Sequence, residues 1–304
     1  MSITAFLLDT AVRATPFILL GLAVALAFSA GVLNIGAEGQ FLAGATASIA
    51  VGLWLKAWPG LLIVCAELAT GVVAGALWSG IAAVLKRRYG VLEVISTLML
   101  NFVALYCVSY LVRGPLAEPT HLFPQTSSLA HAARLPVVLP GSQLHLGFVL
   151  AIMLAAGLWW VLGATAIGFR VRAVGAGVAA AAAAGRVHVA RTVFRVFLAS
   201  GGIAGLAGAA ETTGRTFALY DGSPGFGYTA IAVALLARLN PLAVVASGIF
   251  FGALEASAAA LQRDAGLPFA LVTAVEAMIV LGVLAVERLG AESRVPAAAM
   301  PETA

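Results

Sequence analysis

Asn34, Glu38 and Gln40 interrupt apolar sequence within the stretch Gly31-Val32-Leu33-Asn34-Ile35-Gly36-Ala37-Glu38-Gly39-Gln40, which also carries three glycines. A carboxylate and two amides can hydrogen-bond a polar solute or hold a broken helix together. With no nucleophile and base beside them, they do not build a hydrolytic site. A second polar set is Glu93, Ser96, Thr97 and Asn101. Glu93, Thr97 and Asn101 are four apart and share one helical face, the pattern of a helix interface or a water-lined path. Two plainer readings stand beside these. Glu38 could be a solvated residue in a turn between two spans, and Glu93 an interfacial residue beside Lys86-Arg87-Arg88.

Other candidate chemistry is weaker. Gly175-Ala176-Gly177-Val178-Ala179-Ala180 fits the dinucleotide pattern G-x-G-x-x-A, but no acidic residue follows at the required distance; Arg195 and an apolar run come next. The only lysines are Lys56 and Lys86, and no G-x-x-x-x-G-K-[ST] exists, so the chain builds no ATP-phosphate loop. His121, His131 and His145 are widely spaced and without a nearby cysteine, so they read as surface histidines rather than metal ligands. Cys65 and Cys107 lie inside apolar runs, where a thiol behaves as a small hydrophobe. The residues call for no cofactor and no metal, and they indicate no nucleic-acid partner.

The elements that position these residues follow from composition. Of 304 residues 62% are apolar and 10% charged, against roughly 25% charged in a soluble domain, so lipid is the expected solvent. A run of about 20 apolar residues crosses a hydrocarbon core roughly 30 Å thick. The runs are Phe6 to Ala30, Phe41 to Leu55, Leu61 to Leu85, Val91 to Val112, Leu146 to Ile167, Thr192 to Ala210, Phe226 to Ala237, Leu242 to Leu261 and Pro268 to Val286. The expected fold is an all-α polytopic transmembrane helical bundle of about nine spans. Phe41 to Leu55 and Phe226 to Ala237 are short, as discontinuous transporter helices are. Gly71/Gly75, Gly201/Gly205 and Gly248/Gly252 are spaced for close helix approach.

Orientation follows from the basic residues at Lys86 to Arg88, Arg170, Arg172, Arg186, Arg191, Arg195, Arg288 and Arg294. Placing them all inside puts Arg113 to His145 and Glu211 to Gly225 outside. The N-terminus is then outside and the C-terminus cytoplasmic, and no signal peptide is expected. The transmembrane domain is 1–290, with an outer loop at 113–145 and a cytoplasmic loop at 168–191 whose Val178 to Ala184 favours a short helix. Residues 291–304 read as a disordered cytoplasmic tail.

Leu33-Asn34-Ile35-Gly36-Ala37-Glu38-Gly39-Gln40-Phe41, Glu93-Val94-Ile95-Ser96-Thr97-Leu98-Met99-Leu100-Asn101, Tyr110-Leu111-Val112-Arg113-Gly114-Pro115 and Ile231-Ala232-Val233-Ala234-Leu235-Leu236 carry a family resemblance. So do Phe123 to Thr126 and Leu144 to Phe148, and the stretches run in order over nearly the whole chain. The sequence resembles the inner-membrane permeases of nucleoside-type ABC importers, relatives of the simple-sugar and branched-chain amino acid permeases. The resemblance implies a multi-pass permease that does not itself hydrolyse ATP. Its implied partners are a cytoplasmic ABC ATPase with tandem nucleotide-binding halves, a second permease chain, similar or identical, and an extracytoplasmic nucleoside-binding protein.

It also implies that Asn34, Glu38, Gln40, Glu93, Thr97 and Asn101 lie along the solute path. The loop from Gly168 would couple to the ATPase through Arg170, Arg172, Gly175, Gly177, Ala181, Gly185 and Arg186. There the sequence departs from the family: the usual Asn-Pro and following Glu are Gly177, Val178 and Ala179, and polar positions further on are Ala182 and Ala183. The chain is also expected to lack the extra N-terminal span of longer members. The competing reading from the residues is an ion-coupled secondary transporter or channel, for which Glu38, Glu67, Glu93, Glu255 and Glu276 are candidate acids.

Overall fold

The computed structural model describes residues 2–183, 185, 187–265 and the isolated positions 274, 277, 278 and 282. These form α1 (Ile3–Ser29), α2 (Ala37–Trp54), α3 (Gly60–Tyr89), α4 (Glu93–Arg113), α5 (Leu146–Ala164), α6 (Ala166–Ala176), α7 (Val178–Ala183), α8 (Val189–Glu211), α9 (Phe226–Leu236) and α10 (Pro241–Ala265). A 3-10 turn at His131–Ala133 and a π turn at Thr212–Thr216 complete the helical set, and three isolated bridges are the only β pairing among the described residues. Residues up to Ala256 make one compact unit; a second begins at Ser257, and its described residues include the last turns of α10.

Among the described residues six helices are long and apolar enough to cross a membrane: α1, α3, α4, α5, α8 with its π turn, and α10. The chain is therefore a multi-pass membrane protein. The two segments read as short coincide with α2 and α9. At 11 residues α9 is about 17 Å long, half of a bilayer core. The expected span Pro268 to Val286, the tail 291–304 and Glu276 lie outside the described residues.

α1 is apolar around its whole circumference, which suits a helix enclosed by others, and it is buried almost continuously from Thr10 to Ala27. Its neighbours include α5, α8 and α9. All three glycine pairs sit at helix contacts. A Cβ on Gly205 of α8 would overlap the Gly71 carbonyl and one on Gly75 would overlap the Gly201 carbonyl, while a Cβ on Gly44 of α2 would overlap Gly205. α2, α3 and α8 thus meet backbone to backbone. Further along, Ser79 Oγ donates to the Phe197 carbonyl at 2.7 Å. Gly248 and Gly252 let α10 close on Ile18 and Ala14 of α1.

Segments between the long helices are also joined to one another. At one end the 113–145 loop pairs with the segment after α8: Thr126 N donates to Leu219 O at 3.0 Å, Leu129 N to Phe217 O at 2.8 Å and Leu135 N to Thr213 O at 2.9 Å. Arg134 lies over the Phe217 ring at 4.2 Å, and Arg113 Nε donates to Asp221 at 3.0 Å. Arg113, with help from Ser109, holds the Asp221 carboxyl below its ordinary range. At the other end α3 runs through Lys86, Arg87 and Arg88 before stopping at Gly90, whose φ of +67° a glycine adopts without strain. Cations there complement the helix C-terminus.

Candidate functional site

α1 stops at Ser29, and Gly31 at φ +69° turns the chain away beside Gly175 of α6. Between that turn and Ala37 the backbone has no helical partner, so side chains must supply one. Asn34 and Gln40 form a reciprocal amide pair: Asn34 Nδ2 donates to Gln40 Oε1 at 3.1 Å, and Gln40 Nε2 donates to Asn34 Oδ1 at 2.9 Å. Asn34 also accepts from Gly36 N at 3.0 Å and donates to Ser200 Oγ on α8 at 3.0 Å. Ser200 Oγ in turn donates to the Ala23 carbonyl at 2.8 Å. Each polar atom of the pair is matched by a complementary one.

Glu38 lies in the first turn of α2, only 1% exposed, so it is not a solvated turn residue. Its carboxylate reaches across to the start of α9. It accepts from Gly225 N at 3.0 Å, from Gly227 N and from Ser223 Oγ. The first N–H groups of a helix lack intrahelical acceptors and carry partial positive charge, so a carboxylate is a fitting cap. A Cβ on Gly227 would overlap the Glu38 backbone, which is why glycine stands there. Two helix starts, those of α2 and α9, meet around one acid.

α4 closes the arrangement. Asn101 Oδ1 accepts from Gly39 N at 2.8 Å, and its Nδ2 donates to Ile35 O at 2.9 Å and to Tyr228 Oη at 3.3 Å. Thr97 Oγ1 accepts from Ile35 N at 3.3 Å. Glu93 stands apart and pairs with Lys86 Nζ at 2.7 Å, the interfacial geometry. Five of the six residues named for the path, Asn34, Glu38, Gln40, Thr97 and Asn101, are brought together, all buried. Their bonds hold a helix break in place. Among the described residues no group of three or more His, Cys, Asp or Glu could hold a metal ion.

Residues 6–286 match the family model described as the permease component of the branched-chain amino acid transport system. The chain belongs to that family. The permease is 38% identical over 291 residues to the glucose ABC transporter permease protein TsgB13 of Haloferax volcanii, covering 90% of this chain and 75% of that one. It is 37% identical over 278 residues to the guanosine ABC transporter permease protein NupP of Bacillus subtilis, covering 90% and 79%. With the nucleoside ABC transporter permease protein NupB of Lactococcus lactis it shares 29% identity over 276 residues, 87% of this chain and 75% of the relative. No solved structure matches it. The chain is accordingly the non-catalytic membrane component of an ABC importer, with ATP hydrolysis on a partner chain.

In this permease the segment named for coupling forms α6 and α7. Arg170 and Arg172 are exposed, Gly177 ends α6 in an extended conformation, and Gly185 at φ +67° turns the chain after α7. Gly175 is the point where α6 meets the end of α1; a Cβ there would overlap the Ser29 carbonyl. Ala181 faces inward. It is buried within the chain, and the outward residues of α7 are Val178, Ala179, Ala180, Ala182 and Ala183. Arg186 lies outside the described residues.

Two features escaped the sequence reading. Arg13 Nε pairs with Asp9 at 3.0 Å and Arg13 NH1 with Glu255 at 3.0 Å; Arg215 pairs with Glu211 at 2.9 Å and with the same Glu255 oxygen at 3.2 Å. This five-residue chain of charges ties α1, the π turn and α10 together. Its local signal was two opposite-charge pairs four residues apart in apolar sequence; Glu255 carried none. His145 is the other: it is buried, not on the surface, and its Nδ1 caps α5 by accepting from Gly147 N at 3.2 Å. Burial, then the nearby Arg215, lowers its pKa to about 4, so the ring is neutral at pH 7.

Proposed function

We propose that the permease forms the path for a nucleoside or a related small polar solute, moved inward by ATP binding and hydrolysis on a cytoplasmic ATPase. The observation that carries this reading is the buried joint at Glu38, where two helix starts share one acid. Short helices meeting at a polar break are how transporters build a solute path through lipid. Asn34, Gln40, Thr97 and Asn101 position that break, and Glu93 anchors the end of α4. Two of the three named relatives are described as guanosine or nucleoside permeases, and the third as a glucose permease.

The fuller arrangement has about nine crossings, with the six long helices, α2 and α9 among them. The N-terminus is outside and the C-terminus cytoplasmic in the inner membrane, as the basic residues require. A second permease chain, similar or identical, and an extracytoplasmic solute-binding protein complete the transporter. The coupling surface is the exposed side of α6 and α7, with Arg170 and Arg172 flanking a patch of methyl groups.

An ion-coupled mechanism would look to Glu67, which is buried in α3 with neither carboxyl oxygen hydrogen-bonded among the described residues. In an ABC importer the energy comes from a partner, and Glu67 carries no coupling role.

Cysteine accessibility tests the arrangement once Cys65 and Cys107 are replaced. Ser127→Cys should react with an impermeant thiol reagent from outside intact cells. Ala180→Cys should react only after permeabilisation, and at least fivefold more slowly when the ATPase is co-expressed. Labelling of Ala180→Cys from outside, or labelling indifferent to the ATPase, would contradict the proposed orientation or docking.

A further inference from the structure

α6 meets other helices backbone to backbone at Gly168 and Gly175. A Cβ on Gly168 would lie 2.2 Å from the Val161 carbonyl oxygen near the end of α5, and one on Gly175 would lie 2.2 Å from the Ser29 carbonyl oxygen at the end of α1. The two glycines are two helical turns apart, about 10 Å, so both fall on the side of α6 that buries Val171. Arg170 and Arg172 are exposed, and α7 continues from the far end. Opposite Gly175 the chain turns at Gly31, whose own Cβ would stand 3.4 Å from the Gly175 Cα. From that turn to α2 the chain is held by successive short bonds. Val32 N donates to Ala27 O at 3.0 Å, Asn34 N to Val32 O at 2.9 Å, Gly36 N to Asn34 Oδ1 at 3.0 Å and Gln40 N to Gly36 O at 3.0 Å. Glu38 lies between Gly36 and Gln40.

We infer that Gly175 is a positioning residue: displacement of α6 and α7 by the ATPase reaches the helix break through the contact of Gly175 with Ser29 and Gly31. The inference rests on the proposed docking of α6 and α7 on that partner. A side chain wedged between two helices can change rotamer and absorb a displacement. A carbonyl oxygen against a Cα has no side-chain torsion to yield, and close-packed interiors transmit strain. Gly168, held against the end of α5, is the point about which α6 can swing, so a push on α7 presses Gly175 against the end of α1. The segment from Ala30 to Gly36 lies between α1 and α2 and is the part of that connection able to shift. Its bonds to α2 then carry the shift to Glu38, and Glu38 carries it to the start of α9. Glycine at 175 is what allows the two backbones to meet.

The test uses the assembled transporter in proteoliposomes. Gly175→Ala sets a methyl group against the Ser29 carbonyl and should lower the guanosine moved per ATP hydrolysed at least tenfold, a ratio that loss of folded protein alone would not change. Gly163→Ala near the end of α5, where a Cβ meets nothing within 4 Å, should keep that ratio within twofold. An unchanged ratio in Gly175→Ala, or an equal fall in both variants, overturns the inference. A second measurement does not depend on Gly175→Ala. With Cys65 and Cys107 replaced, Leu33→Cys, at an exposed position of the break, should change its rate of reaction with N-ethylmaleimide at least threefold when ATP and vanadate are added. A rate indifferent to nucleotide, while the ATPase still shields Ala180→Cys, overturns the inference and leaves the docking standing. Absence of shielding at Ala180→Cys removes the docking itself, and the inference falls with it.

Discussion

Gly205→Leu is expected to cost about 3 kcal/mol of stability, at the upper end of overpacking, and to leave little folded protein in the membrane. The atoms that a Cβ would meet are the Gly71 carbonyl and the Gly75 Cα at 2.9 Å, both backbone. A side chain can change rotamer to make room; a facing helix backbone cannot. α3 and α8 would have to separate, and because Gly44 of α2 packs on the same glycine, all three helices lose their closest contact. Gly157→Leu is the control, since a Cβ on Gly157 of α5 meets nothing within 4 Å. Thermal unfolding in detergent, read by fluorescence-detected gel filtration, should show a large fall for the first variant and almost none for the second. Equal falls would refute the packing described for these helices.

Glu38→Gln should reduce both stability and uptake. If the carboxylate only faced the path, expression would survive and transport would fall. The geometry adds a folding cost. Gly225 N, Gly227 N and Ser223 Oγ all donate to the carboxylate. An amide replaces one acceptor oxygen by an NH₂ that points donor at donor, and it removes the negative charge from the start of α9. Hydrogen bonds to a charged group contribute about 1.5 to 3 kcal/mol, and the helix terminus roughly another 1. A loss near 3 kcal/mol is expected for Glu38→Gln, and about 1 kcal/mol for Ser223→Ala, which removes one donor. Unchanged melting with lost transport would mean that the carboxylate serves the solute and not the joint.

Much of the fold was legible because lipid imposes a simple rule: long apolar runs become helices. Leu146 to Ile167 and Leu242 to Leu261 fall within a few residues of α5 and α10. Where boundaries differ, the reason is chemical. In the sequence the second run begins at Phe41, after Glu38 and Gln40, because a carboxylate and an amide read as loop; α2 begins at Ala37 because partners elsewhere satisfy both side chains. Likewise α3 continues through Lys86 to Tyr89, since cations suit a helix C-terminus. The four-residue spacing of Thr97 and Asn101 revealed the face that joins the break, and the polar run at Asn34 revealed the break itself.

What α4 and the break bind to was not legible. The donors to Glu38 come from residues 185 to 189 positions along the chain, and nothing local in Ser223-Pro224-Gly225-Phe226-Gly227 marks them as a carboxylate cradle. His145 shows the same limit: an isolated histidine in a polar segment reads as surface until the close approach of Gly147 and Gly214 encloses its ring. Ala181 stands inside the run of five alanines that follows Val178 in α7, and a run of one residue type gives no periodicity from which to tell inside from outside.

The measurement that bears most directly on the function is uptake by proteoliposomes holding the permease with its co-purified ATPase and second permease chain, supplied with the solute-binding protein and labelled guanosine. The account predicts accumulation that requires ATP on the side of the ATPase, persists when proton and sodium gradients are collapsed, and is absent when the ATPase is omitted. Accumulation driven by an ion gradient without ATP, and abolished by Glu67→Gln, would contradict it.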